Sequence, residues 1–600
     1  MMKFNPVDRY FKSTTGGAKV NEILKLTVLS DAREVFLCIR PDGGKYTDFR
    51  MKKAGNCFTF YFIPREKGLF FYCFKAEGKQ FGLGSKGYAD ESFGTLYEGG
   101  GEFQLTVYSE DFTTPDWLKG GVIYQIFPDR FCRSGDIKPR PCQRLRDDWG
   151  EIPDYLPVDG EILNDDFFGG NLKGIIERLG YLKSLGVTAI YLNPVFEARS
   201  NHRYDTGDYM KVDTLLGTEK QLKQLFDEAA EMGMRVVLDG VFNHTGDDSV
   251  YFNKYGTYPS VGAYASKKSK YSDWFCFNTH PTEYDSWWGI KTLPQTNENS
   301  PSFREFVCGE NGVLRHYLRL GASGWRLDVV DELPSDFVDE IRSAIKAEKP
   351  DAVVIGEVWE NVTDKVAYGF RRRYFQGGEL DSAMNYPLKN GIISYMLSGD
   401  CSELVSVIRT QTDDYPAAAL NCMMNILGTH DTPRIVNVLS GVKMPETREE
   451  QAALTLTDEQ LELGIKRLKI ASAIEFTLYG VPTVYYGDEA AMTGWKDPFN
   501  RGCMDWEKKG ELFDWYARLG EIRRFSPVFA SGDTKIEVAG KRVLVFSRTS
   551  GDEKIYTAVN LAPFPVVLNF TGVVKELLGG KKGKSVVLKP ESVAIIKERL

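Results

Sequence analysis

Between Arg235 and His244 the chain reads RVVLDGVFNH, an apolar run of strand length that stops in an acid, a glycine, an asparagine and a histidine. Seven further runs share its texture: Val122 to Phe127, Ala189 to Val195, Gly324 to Val330, Ala352 to Val358, Asp381 to Tyr386, Met424 to Gly428 and Pro482 to Gly487. Between them lie amphipathic stretches such as Leu172 to Leu185 and Glu219 to Met232. Apolar runs alternating with helical periodicity build a parallel sheet covered by helices, and eight of them predict an α/β fold, a (β/α)8 TIM barrel. The stretch after the third run, about 245–301, is aromatic and rich in Gly, Ser and Asn, so it reads as a subdomain grown out of one βα loop.

The flanks have a different grain. From Lys19 to Tyr108 short β-rich bursts (EVFLCIR, CFTFYFI, GLFFYCFK) alternate with PDGG, AGN and AEG turn signals, which predicts an N-terminal β-sandwich. SEDFTTPDW, residues 109–117, has neither periodicity and reads as a linker. From about Lys535 strand-like segments return without helices between them, predicting a C-terminal antiparallel β-domain. The expected domains are 1–115, 116–528 and 529–600. This agrees with 600 residues at about 150 per domain when one unit is a large barrel.

With 42% hydrophobic and 26% charged residues the chain can fill large cores, and a net charge of −8 gives no reason to expect nucleic acid or an anionic membrane as partner. No run of about 18 apolar residues suggests a spanning helix, and residues 1–17 lack the apolar core of a secretory signal. The ten cysteines are scattered without a CxxC pair, so reduced thiols and a cytoplasmic location are expected.

The ionisable residues collect at the C-terminal ends of the runs, the end on which barrel enzymes carry their chemistry. Run three ends in Asp239 and His244, run four contains Arg326-Leu-Asp328, run five ends in Glu357-Val-Trp359, and run seven ends in His430-Asp431. Two of only five histidines fall inside these clusters. Singly, each has a bland reading, a structural ion pair or a helix N-cap; four at one mouth do not. The strand period of two sends Arg326 and Asp328 to the same side, where the guanidinium favours an ionised Asp328, while Glu357 among other carboxylates is expected to keep a proton. Two carboxyl groups of unequal pKa are what glycoside cleavage requires. Asp431 would stabilise oxocarbenium charge or bind sugar hydroxyls.

DGVFNH, GWRLDV, GEVW and GTHD resemble the four sequence regions of the α-amylase family of glycoside hydrolases. The resemblance extends to YQIFPDRF at Tyr124, FFGGNLKGI at Phe167, NHRYDTGDY at Asn201 and the segment from Val484 to Trp506, covering about residues 117–525. The flanks look like the neopullulanase, cyclomaltodextrinase and maltogenic amylase branch, whose N-terminal sandwich is immunoglobulin-like and of starch-binding type. The resemblance implies Asp328 as nucleophile, Glu357 as general acid/base and Asp431 as transition-state stabiliser in a retaining mechanism. It further implies that Arg326 orients Asp328, that His202, Tyr204, His244 and His430, with Asp239 in the same region, surround the sugar in subsite −1, and that Asp497 and Arg501 contact outer glucose units. Trp359 would be a platform on the leaving-group side or a core residue.

Two departures stand out. LPQTN at Leu293 differs from the MPKLN of that branch, which leaves bond preference open. The loop from Cys132 through Lys138 and Arg140 carries cations where calcium-binding members carry asparagine and aspartate, so a structural calcium site is expected to be weak or absent, and the resemblance implies that catalysis requires no cofactor.

The expected activity is hydrolysis of α-1,4 bonds in maltooligosaccharides, cyclodextrins, pullulan or starch, with some α-1,6 cleavage and transglycosylation. A relative that mainly transfers or isomerises glucosyl units would carry the same three carboxylates. A sugar-binding barrel without catalysis would have lost them. A metal-dependent hydrolase would need clustered histidines such as HxH on the first strand, and Val122 to Asp129 has none. A homodimer through the N-terminal domain is expected from the resemblance; a monomer in sedimentation at micromolar concentration would remove it.

Overall fold

The computed structural model describes residues 2–160, 162–508 and 510–599. At its centre eight parallel strands, β1 (Ile123–Ile126), β2 (Ala189–Leu192), β3 (Arg235–Gly240), β4 (Gly324–Leu327), β5 (Val353–Gly356), β6 (Ser382–Ala383), β7 (Met424–Ile426) and β8 (Val481–Tyr485), pair in sequence order, with β8 against β1. Each falls in one of the eight expected runs, β8 starting one residue earlier. Most are shorter than the runs because residues at the C-terminal ends, Asn193, Asp328 and Glu357 among them, leave the sheet and become loops at one mouth. The ring closes between β6 and β7 through a single bridge, Met384 to Met424.

A buried amide cluster stands at that seam. Asn385 Nδ2 donates to Gln411 Oε1 (3.0 Å) and Asn425 Oδ1 (2.9 Å), Gln411 Nε2 donates back to Asn385 Oδ1 (2.7 Å), and Asn425 Nδ2 reaches the Tyr479 carbonyl (2.6 Å). All three amide residues are buried, and their pairing lets polar groups stand where apolar packing is interrupted.

The expected Glu219 helix forms over Glu219–Glu231, started by a reciprocal Thr218–Gln221 capping box. The expected helix over Leu172 to Leu185 breaks in two at Arg178 (φ −105°, ψ 6°), whose guanidinium lies 4.0 Å from the Trp506 ring centroid. The insertion after β3 holds a short strand pair, Phe277–Thr279 with Glu283–Tyr284, and two single 3-10 turns, Ser272–Trp274 and Trp287–Gly289, and is filled by rings: Phe252 and Tyr284 meet edge to face at 4.7 Å.

In the N-terminal domain, Leu24, Leu26, Val28 and Phe58 from one antiparallel layer share a core with Leu37, Tyr72, Phe74 and Leu105 from the other. The layers are continuous through Met2–Lys3 and Thr95–Glu98, so the sandwich is a single sheet folded over. The segment read as a linker has no helix or strand, yet it is no free tether: Phe112 is buried, Thr114 Oγ1 donates to the Ala418 carbonyl (2.9 Å), and Trp117 Nε1 donates to that of Asp351 (2.8 Å). The domain is also locked to the barrel helix Ser402–Asp414 by Lys12, fully buried, whose Nζ meets the Asp413 carboxylate; Tyr88 donates to the other oxygen of that carboxylate. The C-terminal domain is one six-stranded antiparallel sheet, from Asp533–Ala539 to Ser592–Arg599.

All ten cysteines are free. Among the described residues no helix is long and apolar enough to cross a membrane.

Candidate active site

The loops leaving the barrel's C-terminal mouth enclose a cleft of about 870 Å³. On its floor Arg326, fully buried on β4, serves three carboxylates. Its Nη1 lies 2.7 Å from Asp328 Oδ1 and 2.9 Å from Asp239 Oδ1, and its Nη2 lies 2.8 Å from Glu357 Oε2. Parallel register builds this: Asp239 on β3 stands beside Arg326, and Leu327 beside Gly356, the residue before Glu357. Glu357 also accepts from the Val329 backbone N–H (2.9 Å) and from Trp359 Nε1 (3.0 Å). Val329 makes its bond from a left-handed backbone (φ 38°), a strained conformation for a β-branched residue that costs roughly 1–3 kcal/mol and persists where the surroundings impose it.

From sequence, Arg326 is expected beside Asp328, favouring its ionised form, with Glu357 able to hold a proton near neutrality. One guanidinium is divided among three acids, and burial pushes the carboxyls of both Asp328 and Asp239 up, against the pull of Arg326. The Glu357 and Asp239 charges push Asp328 the same way as burial does, and Arg326 opposes them.

Asp431 stands across the cleft, with Oδ2 3.1 Å from His430 Nε2 and Oδ1 3.5 Å from Arg501 Nη2. Arg501 also pairs with Asp497 (2.9 Å) and donates to the His430 carbonyl (3.0 Å); the Arg501 side chain is 10% exposed and that of Asp497 40%, so the pair spans from the cleft wall to its rim. His430 is held from both sides. Gln125 Nε2 donates to its Nδ1 (2.9 Å), which leaves the proton on Nε2 to be donated to the Tyr204 hydroxyl (2.5 Å), and that hydroxyl donates on to Asp239 Oδ2 (2.9 Å). Tyr204 lies parallel to the His430 ring at 5.3 Å. His202 and Tyr204 both line the cleft. Trp359, open between platform and core from sequence, is 44% exposed on the rim, with one face stacked on Tyr386 at 3.8 Å.

A family model described as the alpha amylase catalytic domain matches residues 125–524. The chain belongs to the α-amylase family. The amylopullulanase of Thermoanaerobacter thermohydrosulfuricus is 36% identical over 498 residues, which cover 74% of this chain and 32% of that protein. The cyclomaltodextrinase of Geobacillus thermopakistaniensis (strain MAS1) is 33% identical over 464 residues, covering 75% of this chain and 70% of that one. A solved structure, the type III pullulan hydrolase from Thermococcus kodakarensis, is 26% identical with a TM-score of 0.70 over the whole of both chains. The chain spans between 26% and 39% of the length of the amylopullulanases it matches.

In this α-amylase family chain every residue singled out from sequence comes to the one cleft or directly beneath it. Those missed beneath the cleft are neutral: Gln125, Asn193, whose Nδ2 donates to the Tyr204 hydroxyl (2.9 Å), and Tyr191, which donates to Asp239 Oδ2 (2.6 Å). Their signal, polar residues on β1 and at the end of β2, was present but carried no charge. Trp287, Trp288, Glu332 and Tyr368 on the rim were missed as well.

His244 is buried, stacks on Trp287 at 5.1 Å, and leaves Nε2 without a protein partner on the cleft wall, where a ligand hydroxyl would satisfy it. Burial lowers its pKa to about 3 from 6.5. Below pH 6.5 the unfolded chain therefore binds a proton that the folded chain refuses. Stability from this site is whole above that pH and lost as the pH falls. His244→Gln is expected to flatten the fall by about 1.4 kcal/mol per pH unit, read from urea midpoints between about pH 6 and 4.5. Coincident slopes would sink this.

Proposed function

We propose that this chain is a retaining α-glucan hydrolase acting on α-1,4 bonds of maltooligosaccharides, cyclodextrins, pullulan or starch, with some α-1,6 cleavage and transglycosylation. The observation that carries it is the pairing of Asp328 and Glu357 on one buried guanidinium, with Asp431 across the cleft. Asp328 attacks the anomeric carbon while Glu357 gives its proton to the departing oxygen. The resulting β-glycosyl enzyme is opened by a water that Glu357 deprotonates. Arg326 holds both carboxyl groups in place, and Asp431 faces the positive charge that develops on the ring. The names of the relatives, an amylopullulanase, a cyclomaltodextrinase and a pullulan hydrolase, support the substrate class.

No metal enters this scheme. In the loop after β1 the residues do not fit a divalent cation: Arg140 pairs with Asp213 (3.2 Å) and Glu197 (3.6 Å), and Arg133 donates to the Arg146 carbonyl (3.0 Å). Cytoplasmic residence and a homodimer through the N-terminal domain belong to the same proposal, the latter subject to the sedimentation test above.

Products from β-cyclodextrin, maltoheptaose, pullulan and soluble starch, separated by chromatography, test the activity. Maltose and glucose, with panose from pullulan, are the expected products. Four unchanged substrates would end the hydrolase reading, and transfer outpacing hydrolysis when an acceptor sugar is added would convert it to a transferase.

A further inference from the structure

Two turns at the rim share an unusual composition. Trp288-Gly289 and Tyr368-Gly369 each occupy a two-residue turn with both φ values positive, 51° and 79° in the first, 52° and 80° in the second. The first is closed by Ile290 N–H on the Trp287 carbonyl (2.9 Å); the second joins the paired strands Val366–Ala367 and Phe370–Arg371. Such turns take Asn, Asp or Gly at the leading position, because a Cβ is disfavoured there. Among the described residues no other aromatic side chain sits at positive φ.

Core packing does not explain them: Trp288 is 78% and Tyr368 67% exposed. What they share is a carboxylate. Glu332 Oε1 accepts from Trp288 Nε1 (2.8 Å) and from Trp287 Nε1 (3.1 Å), and the Tyr368 hydroxyl is turned toward the same residue. Strain without burial, clipped by one buttress on the loop that follows Asp328, is the mark of a displayed surface.

Its place in the barrel says what it displays to. The three segments follow β3, β4 and β5, and β5 carries Glu357, whereas Asp431, Asp497 and Arg501 follow β7 and β8. The flank of the proton donor is the flank of the leaving group. Aromatic faces pair with the apolar faces of glucose rings. Resting on the hydrolase reading above, we propose that Trp288 and Tyr368 form a platform that holds the glucose units beyond the cleaved bond and selects substrates by them.

The test compares maltoheptaose, which places glucose units on that side, with α-maltosyl fluoride, whose fluoride leaves them absent. For Trp288→Ala and for Tyr368→Ala in the full chain, the ratio of kcat/KM for maltoheptaose to that for the fluoride is expected to fall about three- to tenfold, with Trp288→Phe recovering most of it. A ratio unchanged in both variants overturns the platform. A wild type inert toward both substrates overturns the hydrolase reading instead, and the platform with it.

Discussion

Asp328→Gly, given α-maltosyl fluoride and azide, is expected to release β-maltosyl azide, and Glu357→Gly the α-anomer. In the first variant azide enters the space of the missing carboxylate, attacks the anomeric carbon from the β face and expels fluoride in one inversion. In the second, Asp328 still displaces fluoride, and azide then opens the β-glycosyl enzyme from the α face, giving two inversions. Without azide each variant should lose about 10⁴-fold or more in kcat/KM on maltoheptaose, or about 5.5 kcal/mol of transition-state stabilisation. The anomeric coupling constant of the product reads the outcome. The experiment matters because both carboxyl groups share the Arg326 guanidinium, at 2.7 and 2.8 Å, so proximity to it does not separate their roles. The same anomer from both variants, or the reverse pairing, would reassign nucleophile and acid.

The second large effect lies far from the cleft. Lys12→Met should cost roughly 3–5 kcal/mol, because it strands the fully buried Asp413 carboxylate with only the Tyr88 hydroxyl as side-chain donor. Asp414 next to it is already pushed up by burial and by the Asp413 charge, so the site has no slack for a further unpaired acid. The double variant Lys12→Met with Asp413→Leu removes both charges and should recover most of the loss, as buried ion pairs replaced by apolar groups of similar size commonly do. The midpoint of guanidinium unfolding for the three proteins decides it. A single variant as stable as the wild type would mean that water reaches this contact.

The barrel is legible in sequence because a strand buried on both faces must be apolar throughout, and runs such as VVIG and AIYL permit little else. The charged part of the site is legible for the complementary reason: Asp239, Asp328, Glu357 and Asp431 interrupt such runs where folding alone gives no motive. Two things are not. How one guanidinium divides among three acids depends on register between strands, which only the assembled sheet supplies. Trp288 and Tyr368 look like ordinary loop residues until their backbone angles are known. The linker shows the same limit: nothing in SEDFTTPDW announces that Phe112 is buried or that Thr114 is tied to the barrel.

One hinge of the architecture joins what looks like separate business. The helix Ser402–Asp414 carries Gln411, which fastens the amide cluster at the β6–β7 seam, and two residues later Asp413, which grips Lys12. The N-terminal domain therefore grips the same rod that fastens the closing seam of the barrel. A truncation that removes the domain would loosen the ring at the stave next to the strand that bears Glu357, so a change made to improve handling of the molecule would be felt in its chemistry.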